Sequence, residues 1–343
     1  MNRKLLQSLP DPGRLTRNQI LSLLFSKEYG FLPEPPVFVA AEEEAVDENF
    51  CAGKAVLKKL RLRLATAYGI FAFPVSFLYP AGEKAPVPCF IHLDFSEIIP
   101  NCGFPAEEIL DGGCAVLHFC YQDVTSDDGD FTNGLAGLFY PEGKRAEKQC
   151  GKLGIWAWAA SRIMDYAVTV PFLDRRRIGV VGHSRLGKAA LLAGAADERF
   201  FCAFSNDSGC SGAALARGTR GETVGDIYEK FPYWFCEAYG AYAEKEESMP
   251  FDQHFLLAAM APRRVYVASA ASDCWADPEN EYLSCVAAGE YYCRMGLEGF
   301  VHPDRMPVPG DCFGEGEIGY HLRAGTHYLS REDWGYFMRF IKK

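Results

Sequence analysis

The sequence predicts an α/β fold, in which helices cover both faces of a mostly parallel central sheet. Apolar runs of strand length alternate with helical segments from about residue 87 onward. Several of these runs lack the two-residue alternation of a half-exposed strand, which is typical of strands covered on both faces. The chain has 343 residues, of which 49% are hydrophobic, and this is enough for a large core.

The elements follow in order along the chain. A helix is expected over 16–29, because apolar residues cluster on one face before Gly30 and Pro33. Two extended runs between residues 57 and 78, separated at Tyr68-Gly69, predict an antiparallel hairpin. The buried strands are expected at 87–93, 114–119, 177–182, 200–204, 265–270 and 318–323, with helices at 145–168 and 186–195.

No internal repeat and no Pro- or Ser-rich linker divides the chain, so we expect a single domain over 1–343. Within it, 1–50 is expected as an N-terminal extension of helix and loop. The acidic stretch 123–130 is expected as a solvated loop, because its carboxylates do not match the spacing of a calcium loop.

Charge and cysteine content bear on partners and location. The formal net charge is −10 and the longest basic run is only 175–177, so we expect neither nucleic acid nor a membrane surface as a partner. The 13 cysteines form no C-x-x-C pair and several lie in apolar runs, which favours a reducing, cytoplasmic location without a metal ion or cofactor. The N-terminus carries no signal-peptide pattern, and no long apolar span is present.

The sharpest local signal is the segment GHSRLGK at 182–188, between a predicted buried strand and a helix. Small residues there permit a tight turn that exposes the Ser184 hydroxyl above the sheet, with the backbone N–H of Arg185 directed toward a developing oxyanion. The segment departs from the G-x-S-x-G pattern at Leu186. The alternative is a structural serine that caps the following helix.

A nucleophilic serine needs a histidine and a carboxylate. His327 follows the last predicted strand on a Gly-containing loop and is the better candidate for the base, whereas His321 lies within that strand and is expected to be structural. Asp273 and Asp207 each follow a predicted strand, and either carboxylate could orient the imidazole. Asp273 gives the chain order Ser, acid, His that α/β-hydrolases show, and the residues alone leave the choice between the two open.

Together these segments resemble the glucuronoyl esterases of carbohydrate esterase family 15, over about residues 29–334. The resemblance implies an α/β-hydrolase fold built as a three-layer sandwich. It also accounts for Leu186, because the elbow of this family reads Ser-Arg-x-Gly-Lys. The resemblance rests on an ordered set of segments: GHSRLGK (182–188), NDSGCSGAA (206–214), GET (221–223), FPYWF (231–235), DQH (252–254), DCWADP (273–278) and GTH (325–327).

The resemblance implies a role for each catalytic position. Ser184 would be the nucleophile and His327 the base, while Arg185 would add its guanidinium to the oxyanion hole. Fungal members place a Glu at the position of Asp207, and bacterial members often carry an acid at the position of Asp273 as well. This chain has a carboxylate at both positions. We therefore expect Asp273 to be the main catalytic acid, with Asp207 sharing or supporting its role.

The resemblance also implies a sugar-binding side of the site. Lys188 would donate to sugar hydroxyls, Glu222 would accept from them, and Trp275 would line the sugar-binding face. An insertion at 216–250, which contains Glu222 and Trp234, is expected to form part of the cleft.

The implied function is a serine esterase that hydrolyses esters of (4-O-methyl-)glucuronic acid through an acyl-enzyme. Its partner would be a small-molecule or oligosaccharide uronate ester, and the cysteine pattern favours an intracellular enzyme acting on small imported esters. One alternative is a carbohydrate acetyl esterase, similar to acetyl xylan esterases, on the same fold. The other is a non-catalytic binding protein that keeps the hydrolase fold.

Overall fold

The computed structural model describes residues 2–82 and 86–343, and its described strands form one central sheet. The strands are β1 (Phe38–Phe50), β2 (Ala55–Thr66), β3 (Gly69–Pro80), β4 (Val87–Asp94), β5 (Ala115–Cys120), β6 (Leu173–His183), β7 (Cys202–Asn206), β8 (Arg264–Ala270), β9 (Cys312–Phe313) and β10 (Ile318–Arg323). Their order across the sheet is β1-β2-β3-β5-β4-β6-β7-β8-β10-β9.

The centre of the sheet is parallel and its two margins are antiparallel. Strands β5, β4, β6, β7, β8 and β10 pair in parallel, whereas β1, β2 and β3 pair antiparallel with one another and β9 antiparallel with β10. Every residue of β4, β5 and β7 is buried, which confirms that these strands are covered on both faces. The carboxyl ends of the parallel strands therefore meet along one edge, where α/β proteins place their sites.

Helices cover both faces of this sheet. They are α1 (Arg3–Ser8), α2 (Arg17–Leu24), α3 (Ala106–Asp111), α4 (Gly134–Phe139), α5 (Lys152–Ala167), α6 (Arg185–Ala196), α7 (Val224–Lys230), α8 (His254–Ala258), α9 (Pro278–Arg294) and α10 (Arg331–Ile341). None of the helices in the described part of the chain combines the length and apolar character that crossing a membrane requires.

Two hydrophobic cores lie on opposite faces of the sheet. Successive residues of β4 point to different cores, because side chains alternate along a strand: Ile91 belongs to the core that includes α5, α6 and α9, and Phe90 to the core that includes α3 and α10. The three-layer α/β sandwich predicted from the sequence is confirmed.

The N-terminal segment contains a strand that the sequence did not predict. Residues 38–50, expected as part of a helix and loop extension, form β1 at the edge of the sheet and pair with β2. A run of glutamates at 42–44 hides the strand pattern, since charge is unfavourable in a buried strand but tolerated on an exposed edge. Cross-strand ion pairs stabilise it, as between Glu43 and Lys58 at 2.7 Å.

The other predicted elements are present with shifted boundaries. The helix predicted at 16–29 is α2, which begins at Arg17 after the N-cap Thr16, forms a capping box between Thr16 and Gln19, and continues into a π-helical turn at 25–29. The helix expected from residue 145 begins only at Lys152. The residues before it pair instead with the chain at Phe31, whose N–H donates to the carbonyl of Lys148 at 2.8 Å.

Candidate active site

Ser184 lies at the sharp turn between β6 and α6. Its backbone is at φ 57° and ψ −127°, a region that non-glycine residues rarely adopt. Gly182 makes the turn possible, because a Cβ there would lie 2.2 Å from the carbonyl oxygen of Leu186. The Ser184 side chain forms no hydrogen bond to the start of α6, so the alternative of a helix-capping serine is wrong. The turn has the geometry of a nucleophile elbow.

His327 and Asp273 form a hydrogen-bonded pair beyond the ends of β10 and β8. The distance from His327 Nδ1 to Asp273 Oδ2 is 2.6 Å, and Asp273 is buried whereas the imidazole is 45% exposed. Because Nδ1–H donates to the carboxylate, Nε2 carries the lone pair, which is the tautomer that a general base requires.

His321 has a different setting, as predicted from its place within β10. Its Nε2 lies 2.7 Å from Asp333 Oδ1, and its Nδ1 lies 3.1 Å from the Tyr266 hydroxyl. The ring is 1% exposed. A histidine with both nitrogens bonded inside the protein is structural, so this prediction is confirmed.

Asp207 follows β7 and is buried, in a left-handed conformation at φ 45°. Its Oδ2 accepts hydrogen bonds from the Arg323 guanidinium at 3.2 Å and the Tyr328 N–H at 3.3 Å. Its Oδ1 has no hydrogen-bond partner among the described residues. Burial, together with the nearby Glu281 carboxylate, raises the pKa of Asp207 well above its ordinary value despite the Arg323 charge.

The structure brings both candidate acids to the same imidazole. One carboxylate oxygen of Asp207, one of Asp273 and one ring nitrogen of His327 all lie within 4.8 Å of one another. Only Asp273 is hydrogen-bonded to the His327 ring among the described contacts. The geometry therefore favours Asp273 as the orienting acid, which stays a prediction.

Arg185 is held by a residue that sequence analysis missed. Asp127 belongs to the stretch 123–130, which was expected to be solvated, yet its side chain is only 5% exposed. It accepts hydrogen bonds from Arg185, from Trp234 Nε1 at 2.7 Å and from the Tyr121 hydroxyl at 3.0 Å. The expectation was wrong for this residue, because nothing in a run of acidic residues indicates which one faces inward.

Lys188 and Glu222 form a buried polar pair beside the elbow. Lys188 Nζ donates to the carbonyl of Cys210 at 2.6 Å and to that of Ser208, and it lies 3.9 Å from Glu222 Oε2. Glu222 also accepts a 3.2 Å hydrogen bond from Trp275 Nε1. These contacts fix the carboxylate and the ammonium without using all of their hydrogen-bonding capacity.

The two tryptophans differ in exposure. Trp275 is 51% exposed, with the Lys230 ammonium 4.8 Å from its ring centre. Trp234 is 3% exposed and stacks on Phe231 with ring centres 3.9 Å apart. Trp275 is therefore half exposed in the cavity with Lys230 over its ring, whereas Trp234 forms part of the wall beside Arg185.

A single cavity of about 380 Å³ collects these side chains at the carboxyl edge of the sheet. The insertion at 216–250 contributes several of its lining residues, as expected. All nine site residues predicted from the sequence line this cavity: Ser184, Arg185, Lys188, Asp207, Glu222, Trp234, Asp273, Trp275 and His327.

Comparison with known proteins identifies the family of this chain. The family model described as glucuronyl esterase of fungi matches residues 65–296. The carbohydrate esterase MZ0003, from an unknown prokaryotic organism, is 32% identical over 94% of this chain and 83% of its own length. The chain belongs to the glucuronoyl esterase family. The resemblance noted in the sequence is thereby confirmed.

Solved structures of glucuronoyl esterases have the same fold. A promiscuous family 15 esterase from a marine bacterial metagenome superposes with a TM-score of 0.87 at 30% identity, covering 97% of this chain and 96% of its own. A glucuronoyl esterase from Solibacter usitatus also gives 0.87, at 31% identity, with 96% and 91% covered. The α/β-hydrolase fold is confirmed.

Fungal members of the family are more distant. The 4-O-methyl-glucuronoyl methylesterase of Hypocrea jecorina is 28% identical over 74% of this chain. The chain spans 52% of that relative's length. The match to the fungal members therefore concerns only a part of those longer proteins.

Proposed function

We propose that this chain is a serine esterase that hydrolyses esters of (4-O-methyl-)glucuronic acid. The observation that carries the proposal is the His327–Asp273 hydrogen bond of 2.6 Å in the cavity that Ser184 also lines. Relatives named 4-O-methyl-glucuronoyl methylesterase support glucuronic acid as the acid part of the substrate ester, since the chain shares their family.

The first half of the reaction forms an acyl-enzyme. His327 Nε2 takes the proton of the Ser184 hydroxyl as Oγ bonds to the ester carbonyl carbon, and the carbonyl oxygen becomes an oxyanion. The backbone N–H and guanidinium of Arg185 donate hydrogen bonds to that oxyanion. The bond to the alcohol then breaks, and the alcohol leaves with the proton from His327.

The second half restores the enzyme. Water loses a proton to His327 and attacks the acyl carbon. The second tetrahedral intermediate then collapses to the acid as its bond to Ser184 Oγ breaks and His327 returns the proton to that oxygen. Asp273 stabilises the imidazolium that forms in each half. The substrate is neutral at the esterified carboxyl and the product is an anion, so binding and release differ by one charge.

The sugar would bind beside the elbow. The Lys188 ammonium and the Glu222 carboxylate offer a donor and an acceptor for ring hydroxyls, and Trp275 offers an exposed face on which a sugar ring can stack. Because uronate esters and acetylated sugars both carry such hydroxyls, the preference for a uronate ester over the acetyl esterase alternative rests on the family match.

A panel of esters tests this function. Methyl and benzyl glucuronate should be hydrolysed much faster than acetylated xylose, and Ser184→Ala should remove the activity without unfolding the protein. Faster hydrolysis of acetylated xylose would support the acetyl esterase instead. A folded wild type that cleaves none of these esters and that a serine-directed phosphonate does not label would support the non-catalytic alternative.

We also propose that the enzyme works in a reducing, cytoplasmic compartment on small uronate esters or short oligosaccharides. All 13 cysteines are free, and most of them are buried among apolar side chains. Cleavage of methyl glucuronate by protein kept fully reduced is the expected result. Activity on polymeric substrate with none on small esters would contradict the proposal.

A further inference from the structure

We propose that Asp127 is a positioning residue, which fixes the Arg185 guanidinium at the oxyanion site and balances its charge. The inference rests on the proposed esterase function and adds to it a residue that does not line the cavity. Asp127 would act through Arg185 and would not touch the substrate.

The Asp127 carboxylate is itself held in place. Oδ1 accepts the Trp234 Nε1–H at 2.7 Å, while Oδ2 accepts the Tyr121 hydroxyl at 3.0 Å and the Arg185 guanidinium. The backbone carbonyl of Asp127 also accepts the Tyr233 hydroxyl at 3.1 Å. Because both carboxylate oxygens and the backbone are bonded, Asp127 forms a rigid anchor for the guanidinium.

Aromatic rings restrict the guanidinium on its other sides. Its central carbon lies 4.8 Å from the ring centre of Trp234, 5.4 Å from that of Phe231 and 5.9 Å from that of Phe95. Such rings attract a cation and resist its movement. Among the described residues the Arg185 side chain donates only to Asp127, and its Nε is left without a partner. Donors therefore remain for an oxyanion.

The ion pair between Arg185 and Asp127 also sets the net charge at the oxyanion site. The ester is neutral and the oxyanion is transient, but the product carboxylate is a lasting anion. An unpaired guanidinium would attract that product, whereas one paired with Asp127 keeps its N–H donors with little net charge. Asp127 would thus favour catalysis and product release together.

The test compares two substitutions in the same loop. Asp127→Asn keeps the size of the side chain but removes its charge, so we expect kcat on methyl glucuronate to fall by about 10- to 100-fold with KM within about twofold. Inhibition by free glucuronate should strengthen several-fold. Asp128→Asn is the matched control, because Asp128 is exposed and its carboxylate accepts hydrogen bonds from Ser126 and the Asp130 N–H of the same loop; it should match the wild type.

A second readout does not depend on the sugar. A fluorophosphonate transfers its phosphorus to Ser184 Oγ as the P–F bond breaks, fluoride leaves and the serine proton passes to His327. The charge on the phosphoryl oxygen develops at the same oxyanion site. Asp127→Asn should slow this labelling as well. Wild type that labels normally but hydrolyses no uronate ester would contradict the proposed function, while the labelling rates would still test Asp127.

Equal labelling and equal kcat in folded Asp127→Asn and wild type would overturn the proposal. If Asp127→Asn does not fold, Tyr121→Phe replaces it, since this change removes only one hydroxyl donor to the Asp127 carboxylate. We then expect a smaller loss of kcat, of about two- to fivefold, with the same strengthening of product inhibition. If Tyr121→Phe changed neither kcat nor product inhibition, the proposed role of Asp127 would be overturned as well.

Discussion

Asp273 Oδ2 accepts a 2.6 Å hydrogen bond from His327 Nδ1, while Asp207 lies beside the same imidazole without bonding to it. Replacing Asp273 with Asn should lower kcat by about 10³- to 10⁴-fold, because an amide no longer stabilises the imidazolium and can orient the wrong tautomer. Steady-state kinetics on methyl glucuronate measures this.

Asp207→Asn should cost far less, about tenfold or below in kcat. Asp207 bonds to Arg323 and the Tyr328 N–H and not to the imidazole, and an amide of the same shape keeps an oxygen that can accept from these donors. Similar losses in the two variants would contradict the assignment of Asp273, and a larger loss in Asp207→Asn would reverse it.

The elbow makes a separate prediction about Ser184. Ser184→Ala and Ser184→Gly should both lose about 10⁵-fold or more in kcat, since neither has a nucleophile. The two should differ in stability, because glycine adopts φ 57° without strain and alanine does not. We expect Ser184→Gly to unfold with a free energy about 1 kcal/mol higher than Ser184→Ala, measured by urea denaturation. Equal stabilities would contradict the strained turn.

Most of the site was predictable because of one geometric rule. Parallel strands end at a common edge, so residues that follow β6, β7, β8 and β10 must meet there even when they are far apart in sequence. That rule brings together Ser184, Asp207, Asp273 and His327, and the cavity contains all four. The alternation of buried runs and helices likewise determined the layers of the fold.

The remainder depends on side-chain direction, which the sequence does not contain. Asp207 and Asp273 both follow strands, and only the structure shows which one bonds to His327. Asp127 looked like its acidic neighbours until the donors of Tyr121 and Trp234 were seen around it. Trp234 and Arg185 lie 107 and 58 residues from Asp127, so the sequence does not show that they meet it.

Trp275 is expected to contribute to binding and not to the chemical step. Its ring is 51% exposed in the cavity, so stacking on a sugar would stabilise ground state and transition state equally. Trp275→Ala should therefore raise KM about tenfold with kcat nearly unchanged, and Trp275→Phe should lie between that variant and the wild type. A loss confined to kcat would show instead that Trp275 acts mainly by orienting Glu222.

We expect Glu281 to make the folded protein less stable as pH rises. It is buried behind the Asp207 loop, where its carboxyl accepts the Gly209 N–H at 2.9 Å and the Ser269 hydroxyl at 2.5 Å. Burial raises its pKa from 4.5 to about 7. Between these pH values the unfolded chain has released the proton while the folded protein keeps it, so the free energy of unfolding falls as pH increases.

The expected fall is about 3 kcal/mol between pH 4.5 and pH 7, and it levels off above pH 7. Glu281→Gln removes this titration, because the amide can accept from the Gly209 N–H and donate to the Ser269 oxygen without a charge. The unfolding free energies of both proteins are measured in urea from pH 4.5 to pH 8. The total fall should be smaller in Glu281→Gln than in the wild type by about 3 kcal/mol. Parallel pH profiles for the two proteins would mean that folding does not raise the pKa of Glu281.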